Sequence, residues 1–142
     1  MRTLLDQEAP GIFNRLESAS QEERRRAIVV ACSAVANSLS GLQPEIRRLV
    51  QSLVDRGGLS QQDLDIAHSL AQKADDEYFD LQERGKDELA LQRFSEARLL
   101  TAITTDLTSA SLASSAEAVY ELCMVFDDPS IVVASLVEAI RS

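Results

Sequence analysis

The chain has 142 residues, of which 45% are hydrophobic and 26% are charged, and its formal net charge is −9. This composition is typical of one globular domain and excludes a disordered chain. The negative charge disfavours binding to DNA or RNA, so we expect no nucleic acid as a partner. No apolar run approaches a length of about 18 residues, which a membrane-spanning helix needs, so we expect no membrane as a partner. The N-terminus lacks the basic-then-apolar pattern of a signal peptide, so we expect a cytoplasmic protein.

The spacing of apolar residues predicts an all-α fold, a compact bundle of five to six helices in a single domain over residues 1–142. Leu, Ala, Glu, Gln and Arg are plentiful, and these residues favour helix. Residues 1–19 are expected to form a loosely docked N-terminal segment. Pro10 in this segment suits a first helical turn, and a short helix is predicted to dock on the bundle through Ile12, Phe13 and Leu16.

Two helices are predicted between residues 20 and 57. Ser20 and Glu23 have the spacing of a capping box, in which each side chain accepts a free backbone N–H. The basic run Arg24–Arg26 follows and is expected in solvent. The first helix is predicted to end near Gly41, and the second to begin at Pro44. The inward side of the first helix comprises Ile28, Cys32, Val35 and Leu39.

The third helix is predicted to begin after Ser60 and to end at Gly85. Its inner side has small residues in the middle, which allow a neighbouring helix to approach closely. This side comprises Leu64, Ala67, Ala71, Ala74, Tyr78 and Leu81.

The fourth helix, residues 87–107, is expected at the centre of the bundle because two of its sides are apolar or small. The first side comprises Leu89, Leu100, Ile103 and Leu107. The second side comprises Ala90, Phe94, Ala97, Thr101, Thr104 and Thr108. Only a narrow strip is polar enough to face solvent, around Gln92, Ser95 and Asp106.

The C-terminal part is predicted to form two further helices. A run rich in Ser and Thr predicts a break near Thr108–Ser111, since these residues favour caps and turns. The last helix begins at Asp128-Pro129. Cys32 and Cys123 fall on apolar helix sides, so we expect two buried free thiols, with a disulfide as the alternative. The fifth helix aligns Leu112, Ala116, Val119, Cys123 and Phe126.

Candidate metal ligands are few. Asp65 and His68 lie three residues apart on the third helix, so they can share a metal. A helical di-iron site needs two His residues in this pattern, however, and the chain has one His in total. We therefore expect no metal and no other cofactor, and we expect His68 at the margin of the inner side.

A small all-helical enzyme that uses carboxylates and a divalent cation is the alternative function. Asp80 and Glu83 resemble half of the Mg²⁺-binding carboxylate set of all-helical nucleotide pyrophosphohydrolases. Those enzymes need a second pair on a neighbouring helix, whereas Glu117 and Glu121 are expected in solvent. No glycine-rich phosphate loop and no nucleophile matched to the lone His is found, so we expect no catalytic residues.

Acidic residues concentrate in the third helix. Residues 59–90 hold nine acidic and three basic residues, a net −6 of the total −9. Phe79 lies on the same outer side, and an aromatic inside a polar rim is typical of binding surfaces. The alternatives are a merely solvated helix side, and a Phe79 covered by the N-terminal segment. We predict that a basic protein binds Asp65, His68, Gln72, Asp75, Asp76, Phe79, Asp80 and Glu83.

Four segments carry a family resemblance: residues 26–32, Phe94–Arg98, Ala118–Leu122 and Asp128-Pro129. Their order resembles that of small all-helical immunity proteins encoded with bacterial polymorphic toxins, and of related uncharacterised bacterial helical proteins. Such immunity proteins bind and block a cognate toxin, often with an acidic surface. The resemblance implies that the basic partner is a toxin, but it assigns no site residue. A homo-oligomer is also compatible with the sequence.

Overall fold

A computed structural model describes residues 11–106, 111–126 and 129–141. These residues contain no strand, which confirms the all-α prediction, and their helices number one more than the upper limit of the predicted five to six. None of these helices is long and apolar enough to cross a membrane. The seven helices are α1 (Ile12–Ser18), α2 (Gln21–Ser38), α3 (Pro44–Arg56), α4 (Gln61–Glu83), α5 (Asp87–Asp106), α6 (Leu112–Cys123) and α7 (Ser130–Arg141).

Three helices begin after serine caps, of which Ser20 and Ser60 were predicted from the sequence. The hydroxyl of Ser20 accepts the backbone N–H of Glu23 at 3.1 Å, and the carboxylate of Glu23 accepts the N–H of Ser20 at 3.0 Å. Ser60 and Ser111 each accept the N–H three residues ahead at 3.1 Å. These contacts satisfy backbone donors that a first helical turn leaves free. Pro44 is the first residue of α3, as predicted.

Several predicted features lie outside the described residues. Pro10 of the N-terminal segment is one of them, and Asp128 before the last helix is another. Residues 107–110 are also outside, and they include Leu107 and Thr108 of the predicted fourth helix. Most of the predicted break near Thr108–Ser111 therefore lies outside the described residues; α5 is described as far as Asp106, and Ser111 caps α6.

Gly57 ends α3, whereas Gly41, predicted to end α2, does not. Gly57 directly follows α3 with a φ of 72°, a left-handed conformation that costs glycine little. Gly41 has a similar φ of 73°, but α2 ends at Ser38, before the predicted position. Leu39 already has an extended conformation, which turns the chain away from the helix.

The core is shared between α2 and α5. α2 packs against α3, α5, α6 and α7, and α5 packs against α2, α4 and α6. Leu100 and Ile103 are fully buried, as their place on the predicted apolar side of α5 requires. Cys32 and Cys123 are both buried and form no disulfide, as expected.

The first half of α5 differs from the predicted pattern. Leu89, predicted on the apolar side, is 39% exposed, whereas Gln92 and Ser95, predicted in solvent, are half-buried. Periodicity shows which residues share a side of a helix. Periodicity does not show how far the neighbouring helices extend along that side. Leu89 is exposed because they do not cover it.

α1 docks on the bundle through its apolar side chains and through contacts with Arg24 of α2. α1 packs against α6 and α7, and its Ile12 and Leu16 are buried. Nη1 of Arg24 donates to the carbonyl oxygens of Leu16 at 3.2 Å and Ala19 at 2.6 Å. Arg24 is therefore half-buried rather than solvated, because the carbonyls at the end of α1 need a donor.

Candidate functional site

The α4 helix places the predicted partner-binding residues along its outer side. Asp75 is half-buried, at the boundary with α5. The other seven are exposed, namely Asp65, His68, Gln72, Asp76, Phe79, Asp80 and Glu83. The structure thus brings these side chains to one helix surface, with Asp75 at its border.

Phe79 is the large apolar side chain of this surface. Its side chain is 61% exposed, and its ring lies edge-on to that of Tyr78, with centroids 5.2 Å apart. The Tyr78 ring in turn lies 5.5 Å from that of Phe94 on α5. The three rings form a row from the α4–α5 contact to the surface. The described part of the N-terminal segment does not cover Phe79, since its helix packs against α6 and α7.

The position of Phe79 follows from the helical period. Ala74 and Tyr78 lie on the inner side of α4, where α5 packs closely. Phe79 is one residue beyond Tyr78, which turns its side chain about 100° away from that seam. Burying a Phe side chain would contribute about 1.5–3 kcal/mol, so this position forgoes much of that stabilisation.

The carboxylates of this surface differ in their partners. Asp80 lies 3.4 Å from Nε of Arg84, and Asp65 accepts a hydrogen bond from the side chain of Gln61 at 3.0 Å. Asp76 and Glu83 form no ion pair with any described residue. They lie one helical turn before and after Phe79. Two uncompensated negative charges therefore flank the exposed ring.

Arg98 joins three helices beside this surface. Its Nη1 lies 2.7 Å from Oε2 of Glu121 on α6, and its Nη2 lies 3.2 Å from Oδ1 of Asp75 on α4. Its guanidinium carbon lies 5.6 Å from the centre of the Phe94 ring. The prediction that Glu121 is solvated is therefore wrong, because this half-buried carboxylate neutralises Arg98. In the sequence, the signal for this contact was the presence of a basic residue, Arg98, within the largely apolar segment that forms α5.

A second arginine of α5, Arg93, forms ion pairs on the other side of the α4–α5 contact. Nε of Arg93 lies 2.8 Å from Oε2 of Glu77, and its Nη1 lies 2.7 Å from Oε1 of Glu96. Glu96 is buried, which the sequence pattern did not indicate. Both arginines attach α4 to α5 through charge-assisted hydrogen bonds, which are stronger than neutral ones.

The carboxylates considered for a divalent cation are not gathered into a ligand set in the described part of the chain. There, no group of three His, Cys, Asp or Glu side chains is placed to hold a metal ion. Asp80 faces Arg84, and Glu121 binds Arg98. Asp65 and His68 are both exposed on α4.

Comparison of the chain with protein-family models, with curated proteins and with solved structures finds no match.

Proposed function

We propose that the chain is a non-catalytic protein-binding module that binds a basic protein through α4. The proposed surface, called the acidic face, comprises Asp65, His68, Gln72, Asp75, Asp76, Phe79, Asp80 and Glu83. One observation carries the proposal: Phe79 is 61% exposed between two carboxylates that no described cation neutralises.

The acidic face combines two properties of protein-binding sites. An exposed aromatic ring supplies apolar area that becomes buried on association, and aromatic side chains are enriched among the residues that dominate binding energy. Carboxylates around it attract Lys and Arg side chains and speed the encounter with a basic protein. Residues 59–90 carry most of the net negative charge of the chain, so the attraction of a basic protein should be strongest at this helix.

The acidic face is also attached to α5 by defined contacts. Arg98 and Arg93 attach α4 to α5 on either side of their contact, and the Tyr78 ring supports Phe79 from within. A surface that is ordered before binding loses less conformational entropy when the partner arrives. This preorganisation favours binding without rearrangement of the helices.

Within this class we propose that the partner is a basic protein toxin and that the chain neutralises it in the cytoplasm. This step follows from the resemblance to immunity families and from the negative charge. The second candidate, a carboxylate enzyme with a divalent cation, has no comparable observation in its favour, since two of its four carboxylates, Asp80 and Glu121, pair with Arg84 and Arg98.

Affinity capture with three immobilised proteins tests the proposal. The wild type, Phe79→Ala and the control Val54→Ala are exposed to lysate of the source cells. Val54 is 44% exposed on α3, a helix that contributes no residue to the acidic face. We expect a basic protein that the wild type and Val54→Ala retain and that Phe79→Ala loses. With that protein purified, Phe79→Ala should weaken binding by about 2 kcal/mol or more, roughly 30-fold.

Thermal unfolding of the same variants supplies the control for folding. Phe79→Ala should melt near the wild-type temperature, because little of the ring is buried. If this variant unfolds, the ring is a core residue and the acidic face is wrongly assigned. If it is stable and binds the purified partner with wild-type affinity, the partner binds another surface.

A further inference from the structure

The contact between α4 and α5 has two distinguishable edges. Asp75 and Arg98 form an ion pair on one of them, called the Arg98 edge. Glu77 and Arg93 form an ion pair on the other, called the Arg93 edge. Because side chains three, four or seven residues apart share a side of a helix, these pairs assign neighbouring residues to one edge or the other.

Two exposed apolar side chains fall on the Arg98 edge. Phe79 lies four residues after Asp75, and Leu91 lies seven residues before Arg98. They are 61% and 63% exposed, the highest values among the large hydrophobic side chains in the described ranges. Leu89 lies four residues before Arg93, on the opposite edge, and is 39% exposed.

The two side chains also lie at nearly the same level of the helix pair. The antiparallel helices place Asp75 beside Arg98 and Tyr78 beside Phe94. Continuing this register puts Phe79 level with residue 93, two residues and therefore about 3 Å along the axis from Leu91. One partner segment can therefore contact both side chains.

We infer that the partner-binding surface spans both helices, with Phe79 and Leu91 as paired apolar anchors. The occupant is a segment of a basic protein that presents apolar side chains on one side and Lys or Arg on its flanks. This inference rests on the proposed function and extends it to α5, which the acidic face does not include.

Charge decides the kind of occupant. Asp76 and Glu83 flank Phe79, and the exposed Glu88 lies three residues before Leu91. A second copy of this chain, which also carries −9, would bring the same carboxylates face to face, and like charges across an interface cost several kcal/mol. Membrane surfaces rich in anionic lipids are excluded by the same repulsion. A partner segment with Lys or Arg on its flanks is therefore the occupant whose charge complements this surface.

A cleft beside Leu91 adds room for a side chain of the partner. It lies between α5 and the segment of residues 38–42 and has a volume of about 280 Å³. Leu91 and Ser95 line it from α5, and Leu39 and Gly41 line it from the opposite wall. An apolar side chain that contacts Leu91 can extend into this cleft.

Peptide probes test the paired anchors. The first is a helical peptide of about 18 residues, or five turns, with Leu on one side and Lys on the other. A second replaces every Leu by Ser, and a third replaces every Lys by Glu. Fluorescence anisotropy gives the affinity of each for the wild type and for Phe79→Ser, Leu91→Ser and the control Leu89→Ser.

We expect the Leu–Lys peptide to bind the wild type and the other two peptides to bind at least about tenfold more weakly. Phe79→Ser and Leu91→Ser should each weaken the Leu–Lys peptide by about fivefold or more, and Leu89→Ser by less than about twofold. Equal losses in Leu91→Ser and Leu89→Ser would overturn the assignment to the Arg98 edge. Equally tight binding of the peptide in which Glu replaces Lys would overturn the basic occupant.

The two proposals fail in different ways. Loss with Phe79→Ser but not with Leu91→Ser would overturn the paired anchors and leave the acidic face standing. No loss with either variant would overturn both. Sedimentation of the wild type should show a monomer; a dimer that Leu91→Ser dissociates would identify a second copy as the occupant and overturn the basic partner.

Discussion

The buried carboxylate of Glu96 accepts two hydrogen bonds from Gln43, which is 53 residues away in the chain. Its Oε2 accepts the backbone N–H and its Oε1 accepts the side-chain amide, each at 3.0 Å. Gln43 directly precedes α3, so this contact attaches the start of α3 to the middle of α5. Arg93 supplies the compensating charge at 2.7 Å.

Removal of this carboxylate should destabilise the fold. Glu96→Ala leaves the Gln43 N–H and Nη1 of Arg93 without their acceptor, and such a loss inside a protein costs about 3 kcal/mol. Urea denaturation followed by circular dichroism measures it. The matched control is Glu117→Ala, an exposed Glu of α6, which should change stability by less than about 0.5 kcal/mol. A loss in Glu96→Ala as small as in the control would show that the contact contributes nothing.

The buried part of α5 should be sensitive to a cavity. Ile103 is fully buried, so Ile103→Ala should lower the free energy of unfolding by about 2–5 kcal/mol. Ile131 on α7 is 41% exposed and carries the same substitution as a control, for which we expect a loss of less than about 1 kcal/mol. Chemical denaturation compares the two. Equal losses would mean that α5 is not part of the core at this position.

The ion pair between Arg98 and Glu121 should be coupled energetically. A double-mutant cycle of Arg98→Met and Glu121→Gln should give a coupling energy of about 1 kcal/mol, since both groups are largely shielded from solvent. The exposed pair Arg84–Asp80 provides the comparison, and its coupling should not exceed about 0.5 kcal/mol. Coupling that vanishes in the first cycle would remove Arg98 as a connection between α5 and α6.

The capping box predicts a pH dependence. Hydrogen bonds from the backbone and the side chain of Ser20 lower the pKa of Glu23, desolvation opposes them, and the charge of Arg26 lowers the pKa further. A lowered folded-state pKa means that the stabilisation is complete above the unfolded value of about 4.3 and is lost as the pH falls through the folded value.

Glu23→Gln should therefore be less stable than the wild type at neutral pH, and the difference should shrink below about pH 4. Thermal melts across this range measure it. Glu22→Gln, an exposed neighbour in the same helical turn, serves as the control. A difference that stays constant with pH would show that Glu23 acts without its charge.

The charge of the acidic face should act mainly on association. Asp76→Lys should slow the binding of the purified partner and reduce the effect of salt on the association rate, because a charge at the rim acts through steering. Stopped-flow mixing measures this rate. Asp55→Lys makes the same change of charge at an exposed position of α3, and it should alter the rate less. A larger effect of Asp55→Lys would place the binding surface elsewhere.

Local chemistry determined the helices of this protein. The side chains of Ser20, Ser60 and Ser111 accept N–H groups three residues away, so neighbouring residues suffice to predict where α2, α4 and α6 begin. The apolar period likewise placed Ile103 inside and Phe79 outside, because 3.6 residues per turn relate position in the chain to a side of the helix.

Tertiary structure alone decided which polar side chains are buried and which apolar ones are not. Glu96 is buried because Gln43 and Arg93 reach it, and Arg98 is held by carboxylates from α4 and α6. Leu91 is exposed although its neighbour Ala90 is buried, because α4 covers only one side of the first turns of α5. These contacts join residues up to 53 positions apart, and only the packing of whole helices brings such residues together.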